Sequence, residues 1–93
     1  MAYELMFWPS ADEVMVMLEG ETTLTPALAA VNRTLDRLAE DPYERRLRTS
    51  AFKTEEFGGV NATPVNIDSW YILWQTGDQP GALEIMLVHK MNL

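Results

Sequence analysis

The hydrophobic period of this chain changes at Asp41-Pro42. From about residue 11 to that point the apolar residues recur every three or four positions, which is the spacing of a buried helix stripe. After it they alternate or form short continuous runs, which is typical of strands. A chain of 93 residues has room for one core only, so we expect both parts to pack in a single domain, residues 1–93. The pattern therefore predicts an α+β fold in which the helices precede a β-meander.

The chain begins with a predicted strand and a short helix. Residues 3–8 read YELMFW, which is β-rich and apolar. Ser10 and Glu13 have the spacing of a capping box, which predicts a helix over about residues 11–19. Gly20 suits the C-terminal stop of that helix.

A second helix is predicted from Thr25-Pro26 to Asp41-Pro42, with the threonine hydroxyl at the N-cap. Its buried stripe consists of Leu28, Val31, Leu35 and Leu38. The connection over 21–24 is short, so we expect the two helices to form a hairpin.

Four strands are predicted after the helices. Residues 46–51 alternate in polarity, and residues 60–65 include Pro64, which confines that strand to an edge or a bulge. Residues 70–74 and 82–88 are nearly continuous in apolar side chains, so we expect them at the centre of the sheet.

The segment 70–74 carries the aromatic residues of interest. Its period of two separates Trp70, Ile72 and Trp74 from Tyr71 and Leu73. We interpret the tryptophans as core residues. Tyr71 is either a core residue or a platform on which an RNA base can stack, a use that needs positive charge nearby.

The charge of the chain is segregated. The net charge is −7, which repels nucleic acid and anionic lipid unless a local positive patch exists. Such a patch lies in the stretch 45–53, which has no acid and contains Arg45, Arg46, Arg48 and Lys53. These side chains can bind phosphate or a partner's carboxylates. The alternative is a solvated strand edge that prevents aggregation.

The end of the last strand supplies His89 and Lys90. A histidine can move a proton near neutral pH, and a lysine beside it can stabilise an anion; the alternative is a polar strand end in water. With no cysteine and one histidine, we expect neither a metal site nor a cofactor. No signal peptide or bilayer-spanning run is recognisable, which predicts a cytoplasmic protein that does not bind membranes.

The order and hydrophobic pattern of the chain resemble those of the RelE/ParE toxin superfamily. The matching features, in chain order, are Trp8-Pro9-Ser10-Ala11, a helical hairpin, the run from Leu35 through Leu38 to Asp41-Pro42, the strand from Trp70 to Trp74, and the ending Val88-His89-Lys90. The resemblance implies an N-terminal strand and helical hairpin packed on a mainly antiparallel twisted sheet.

The resemblance also implies a partner and a site. Members of the family pair with antitoxins; some cut messenger RNA in the ribosome, and others inhibit DNA gyrase without nuclease chemistry. Carried over by position, the implied catalytic residues are Arg48, His89 and Lys90, and the implied binding residues are Arg45, Arg46, Lys53 and Tyr71. The chain departs from the family at Tyr71, where an arginine is common, and after Lys90, where a tyrosine is common.

Three functions stay open at this stage. The first is a toxin-like protein paired with an antitoxin, with or without ribonuclease activity. RNA and the ribosome are possible partners that the net charge of −7 disfavours. The second is a non-catalytic module of the same fold that binds gyrase or another protein. The third is an unrelated small α+β homodimer, with the sheet or the methionine-rich first helix as its interface.

Overall fold

The computed structural model describes residues 2–42, 50–54, 58–65, 69–77 and 79–90. The described elements are β1 (Glu4–Phe7), α1 (Pro9–Gly20), a 3-10 turn (Thr22–Leu24), α2 (Thr25–Glu40), β2 (Ser50–Thr54), β3 (Gly58–Pro64), β4 (Trp70–Thr76) and β5 (Ala82–Lys90). This order confirms the predicted α+β class with its helices first. Of the predicted strand over residues 46–51, only Ser50 and Ala51 lie within the described residues.

The strands form one mixed sheet in the order β1-β5-β4-β3-β2. β1 runs parallel to β5, and the other three pairings are antiparallel, as a meander requires. β4 lies in the middle with β5 beside it, so the central positions predicted from their continuous apolar runs are confirmed. β3 lies between β4 and β2 and its described pairings contain no bulge, so the predicted edge or bulge position is wrong. Pro64 is tolerated there because it is the last residue of the strand.

The two helices and one face of the sheet enclose the core. The helices contribute Ala11, Met15, Leu18, Ala27, Val31, Leu35 and Leu38, and the strands contribute Trp70, Ile72, Trp74, Leu83, Ile85 and Val88. The tryptophans of β4 are therefore core residues, as predicted. Burial of this apolar surface is the main stabilising contribution to a domain of this size.

The starts of both helices differ from the sequence prediction. α1 begins at Pro9 with Trp8 at the N-cap and no side-chain cap, so the predicted capping box of Ser10 and Glu13 is wrong. The Ser10 hydroxyl instead donates a 2.6 Å hydrogen bond to the carbonyl oxygen of Met86 on β5. The hydroxyl thus donates to a distant strand and does not accept from an N–H in the first turn of its own helix, a choice that a short-range motif does not reveal.

α2 also lacks the predicted cap. The helix starts at Thr25, with Leu24 at the N-cap, and the Thr25 hydroxyl donates to the carbonyl of Thr22 at 2.9 Å. The carbonyl belongs to the 3-10 turn that joins the helices. The chain turns by 105° between the two helices. The predicted helical hairpin is therefore present, and its helices meet at a wide angle.

The described helices are α1 and α2, of 12 and 16 residues. No single one of them is long and apolar enough to cross a bilayer, and α1 and α2 reach that character only when taken together as a bent pair.

Candidate functional site

The face of the sheet away from the helices carries the candidate site, and we call it the outer face. Alternation along β4 places Tyr71, Leu73 and Gln75 there, opposite the buried side chains of the core. Across from them on β5 lie His89, Leu87 and Glu84, respectively. The outer face thus has an aromatic end, an apolar middle and a polar end.

Tyr71 and His89 form the aromatic end. They are direct cross-strand neighbours, and their ring centroids are 6.0 Å apart with an interplanar angle of 77°. This is an edge-to-face contact, which fixes the orientation of both rings. Tyr71 is half-buried and His89 is exposed, so the imidazole is accessible to a ligand on this face. The structure brings together two of the residues implied by the family resemblance.

Lys90 does not share this face. It follows His89 on β5 and lies opposite Trp70, whose side chain belongs to the core. Because successive strand residues alternate between faces, the side chains of His89 and Lys90 leave the sheet on opposite sides. The expectation that Lys90 stabilises an anion beside His89 therefore has no support in the register of β5.

The backbone of Lys53 lies far from that of His89 in the sheet. It pairs with Gly59 on β3, whereas His89 pairs with Tyr71, which in turn pairs with Pro64. Gly59 and Pro64 are five residues apart, and three strand spacings separate β2 from β5. At about 3.3 Å per residue and 4.8 Å per strand, the separation is roughly 20 Å. The side chain of Lys53, and all of Arg45, Arg46 and Arg48, lie outside the described residues.

A second polar cluster lies at the other end of the outer face, around Glu84. The indole N–H of Trp8 donates a 2.9 Å hydrogen bond to Glu84 Oε1, and Gln75 Nε2 approaches the same oxygen at 3.4 Å. Both donors are neutral, and within the described part of the chain Glu84 contacts no cation. Two hydrogen bonds hold this carboxylate in one orientation without neutralising it.

A concavity of about 380 Å³ lies beside this carboxylate. It spans the end of β1, the start of β5 and the turn between β4 and β5, and it is lined by Met6, Phe7, Trp8, Pro9, Gly77, Gln79, Ala82 and Glu84. A carboxylate set among apolar and aromatic side chains favours a cationic group, through charge and through cation–π attraction. Sequence reasoning missed this cluster because Trp8 and Glu84 lie 76 positions apart, and no local pattern connects them.

The arrangement offers two kinds of chemistry. At Tyr71 and His89 a proton acceptor lies next to an aromatic ring, which suits a nucleotide. At Glu84 a fixed anion lies next to an apolar cleft, which suits a basic side chain. No group of three or more histidine, aspartate or glutamate side chains within the described ranges is placed to hold a metal ion.

Comparison with known proteins adds no family assignment. No family model matches the chain, and no significantly similar curated protein was found.

Proposed function

We propose that this chain is the toxin-like component of a toxin–antitoxin pair of the RelE/ParE type. The observation that supports this most is the arrangement of elements, in which a strand and two helices precede a meander whose last strand ends at His89-Lys90. A mainly antiparallel sheet with the helices on one face is the fold that the resemblance implies. The outer face of that sheet then becomes the functional face.

In the catalytic form of this proposal, His89 acts on RNA. Its neutral imidazole accepts the proton of a ribose 2′-hydroxyl, whose oxygen attacks the adjacent phosphorus while the bond to the 5′-oxygen breaks. Tyr71, held edge-to-face against His89, offers its exposed surface to a base. The phosphate's developing charge needs cations, for which the arginines of residues 45–48 are the candidates by sequence.

A non-catalytic form is the second candidate, and a specific observation favours it. Lys90 leaves the sheet on the face opposite His89, and the backbone of Lys53 lies roughly 20 Å from it. The net charge of −7 also opposes the approach of RNA. In this form the protein inhibits a protein target such as gyrase, and the Arg45–Arg48 stretch binds acidic groups of the antitoxin.

The growth of bacteria that express the chain tests the proposal that it is a toxin. We expect induced expression of the chain in a bacterium to arrest growth, and co-expression of the neighbouring reading frame to restore it. The matched control is co-expression of an unrelated small acidic protein. Normal growth at high expression, together with no stable complex with the neighbouring product, contradicts the proposal. A stable homodimer under those conditions favours the third hypothesis, a small dimeric α+β protein.

Cleavage of ribosome-bound messenger RNA separates the two forms. In the catalytic form His89→Ala lowers the rate by about 10²–10⁴, the usual contribution of a general base. Tyr71→Ala weakens substrate binding by about 1–3 kcal/mol, whereas Tyr71→Phe retains the ring and most of the binding. Lys90→Ala is the control, and we expect little change. If the wild-type chain arrests growth but cuts no message, the non-catalytic form is correct.

A further inference from the structure

We infer that the outer edge of β1 and the cleft at Glu84 together bind an extended basic segment of a partner protein, which joins the sheet as a sixth strand. We call this surface the β1 edge; it consists of Leu5, Met6, Phe7, Trp8 and Glu84. The inference goes beyond the proposed function, because it does not depend on Tyr71, on His89 or on any ribonuclease chemistry.

The first observation is the backbone of β1. This strand is at the end of the sheet and pairs only with β5 within the described residues. The N–H groups of Glu4 and Trp8 donate to carbonyls of the β5 side, at 2.8 and 2.9 Å. Since alternate residues of a strand direct their backbone groups to opposite edges, the N–H and C=O groups of Leu5 and Phe7 face outward. Tyr3, one alternation earlier, already donates its N–H to the Ala39 carbonyl of α2 at 2.6 Å. The edge that remains, from Leu5 to Phe7, is a template for strand addition.

The second observation is the side chains along that edge. Met6 is 53% exposed and Phe7 is 38% exposed, although both are large and apolar. They line the cleft whose polar wall is the Glu84 carboxylate, held by Trp8. An extended ligand can therefore place an apolar side chain on Met6 and a lysine or arginine next to Glu84.

The third observation is the charge of the N-terminal segment that contains β1. Residues 1–21 contain five acids and no lysine, arginine or histidine, and the acids are Glu4, Asp12, Glu13, Glu19 and Glu21. Glu84 adds a sixth carboxylate beside β1. Charge complementarity thus selects a basic segment over an acidic one. It also disfavours a second copy of this chain, because two-fold pairing of β1 brings the same acidic surface against itself.

The test uses random twelve-residue peptides displayed on phage and selected against the intact protein. We expect the enriched peptides to carry net positive charge and to alternate basic with apolar or β-branched residues. Synthetic copies should protect the Leu5 and Phe7 amides from hydrogen exchange. Enrichment of acidic peptides, or no enrichment at all, overturns the proposal.

Proline at an outward position isolates the backbone contribution. Phe7→Pro removes an N–H that faces away from β5, a position that an edge strand tolerates, and Phe7→Val is the control that keeps the N–H. We expect Phe7→Pro to weaken peptide binding about tenfold relative to Phe7→Val, corresponding to the loss of one hydrogen bond. Equal affinities for the two folded variants contradict strand addition.

A pair of charge-matched variants tests the contribution of the cleft to binding. This test does not require the Phe7→Pro variant to fold. Glu84→Gln and Glu19→Gln each remove one negative charge, but only Glu84 lines the cleft. We expect Glu84→Gln to weaken binding about 10- to 100-fold and Glu19→Gln less than about twofold. Equal losses of affinity mean that only the general charge matters and overturn the inference.

Hydrogen exchange of the free protein tests whether the edge is already occupied. Protection of the Leu5 and Phe7 amides in the free protein, whether constant or rising with concentration, means that the chain itself or a second copy occupies the edge.

Discussion

The indole N–H of Trp74 donates a 2.8 Å hydrogen bond to the hydroxyl oxygen of Thr63 in the interior of the protein. Both side chains have an exposed fraction of 0%, and the donor and the acceptor lie on adjacent strands. A buried donor of this kind loses its water on folding and depends on its protein acceptor. The contact lets the largest side chain of the core be polar at one end without a loss of stability.

Thr63→Val tests this contact, because it keeps the shape of the side chain and removes the acceptor. We expect the free energy of unfolding to fall by about 1–3 kcal/mol, since the Trp74 donor is left unpaired. In a Trp74→Phe background the same substitution should cost about 1 kcal/mol less. Urea unfolding of the wild type, the two single variants and the double variant gives this coupling. A coupling near zero means that the bond contributes nothing measurable.

At the scale of elements, α1 is attached to the sheet at an irregularity of β5. The register between β4 and β5 shifts between Leu73 and Trp74, since Leu73 pairs with Leu87 and Trp74 with Ile85. Met86 is the extra residue on β5. Its carbonyl oxygen accepts a hydrogen bond from the hydroxyl of Ser10, in the first turn of α1. The bulge and the helix start are therefore one structural unit.

Ser10→Ala removes this attachment. We expect a loss of about 0.5–1.5 kcal/mol of stability, the usual net value of a hydrogen bond, in chemical unfolding. Glu13→Ala is the control, since the structure gives Glu13 no capping role, and we expect a change below about 0.5 kcal/mol. If Glu13→Ala costs as much as Ser10→Ala, the two residues form a capping box in solution.

Gly20 and Gly81 should respond in opposite directions to substitution by alanine. Gly81, just before β5, has a φ of 81°, which an alanine adopts at a cost of about 1–2 kcal/mol. Gly20 lies inside the last turn of α1 without a positive φ, and a Cβ there meets nothing within 4 Å. α1 ends at Gly20 as predicted, and it does so with a helical backbone at that residue and not a left-handed one.

We expect Gly20→Ala to stabilise the protein by up to about 1 kcal/mol, because alanine favours a helix, while Gly81→Ala destabilises it. Thermal unfolding of both variants measures the difference. Stabilisation by Gly81→Ala contradicts the strained turn, and destabilisation by Gly20→Ala contradicts the helical position.

For the whole molecule, the dominant electrostatic feature is the net charge of −7 and its uneven distribution. The first 21 residues hold five acids and no base, so this segment carries an unbalanced negative charge. Such self-repulsion opposes the compact state and is screened by salt. Sodium chloride should therefore raise stability.

We expect the melting temperature to increase by a few degrees between about 20 and 200 mM sodium chloride, over which the Debye length falls from roughly 20 to 7 Å. Glu19→Lys, on the exposed surface of α1, should reduce this salt dependence because it removes part of the repulsion. A melting temperature that falls with salt means that attractive ion pairs outweigh the repulsion.

The sequence predicted the local elements well, because their signals are local. The period of the stripe from Leu28 to Leu38 defined α2, and the alternation within 70–74 separated core tryptophans from Tyr71. The cap predictions at Ser10 and Thr25 were wrong, since each hydroxyl found a different partner in the folded chain. A motif identifies a residue that can cap, but the competing acceptor decides the outcome.

The amino-acid order alone determined the fold class, the sequence of elements and the central place of the two most apolar strands, because period and continuous hydrophobicity follow from backbone geometry. Only the tertiary structure decided which distant residues meet: His89 with Tyr71 on the neighbouring strand, and Trp8 with Glu84 across nearly the whole chain. These contacts depend on strand register and on the placement of β1 beside β5. The hydrophobic alternation determines which side chains face the core, but it does not determine which distant residue lies opposite each of them.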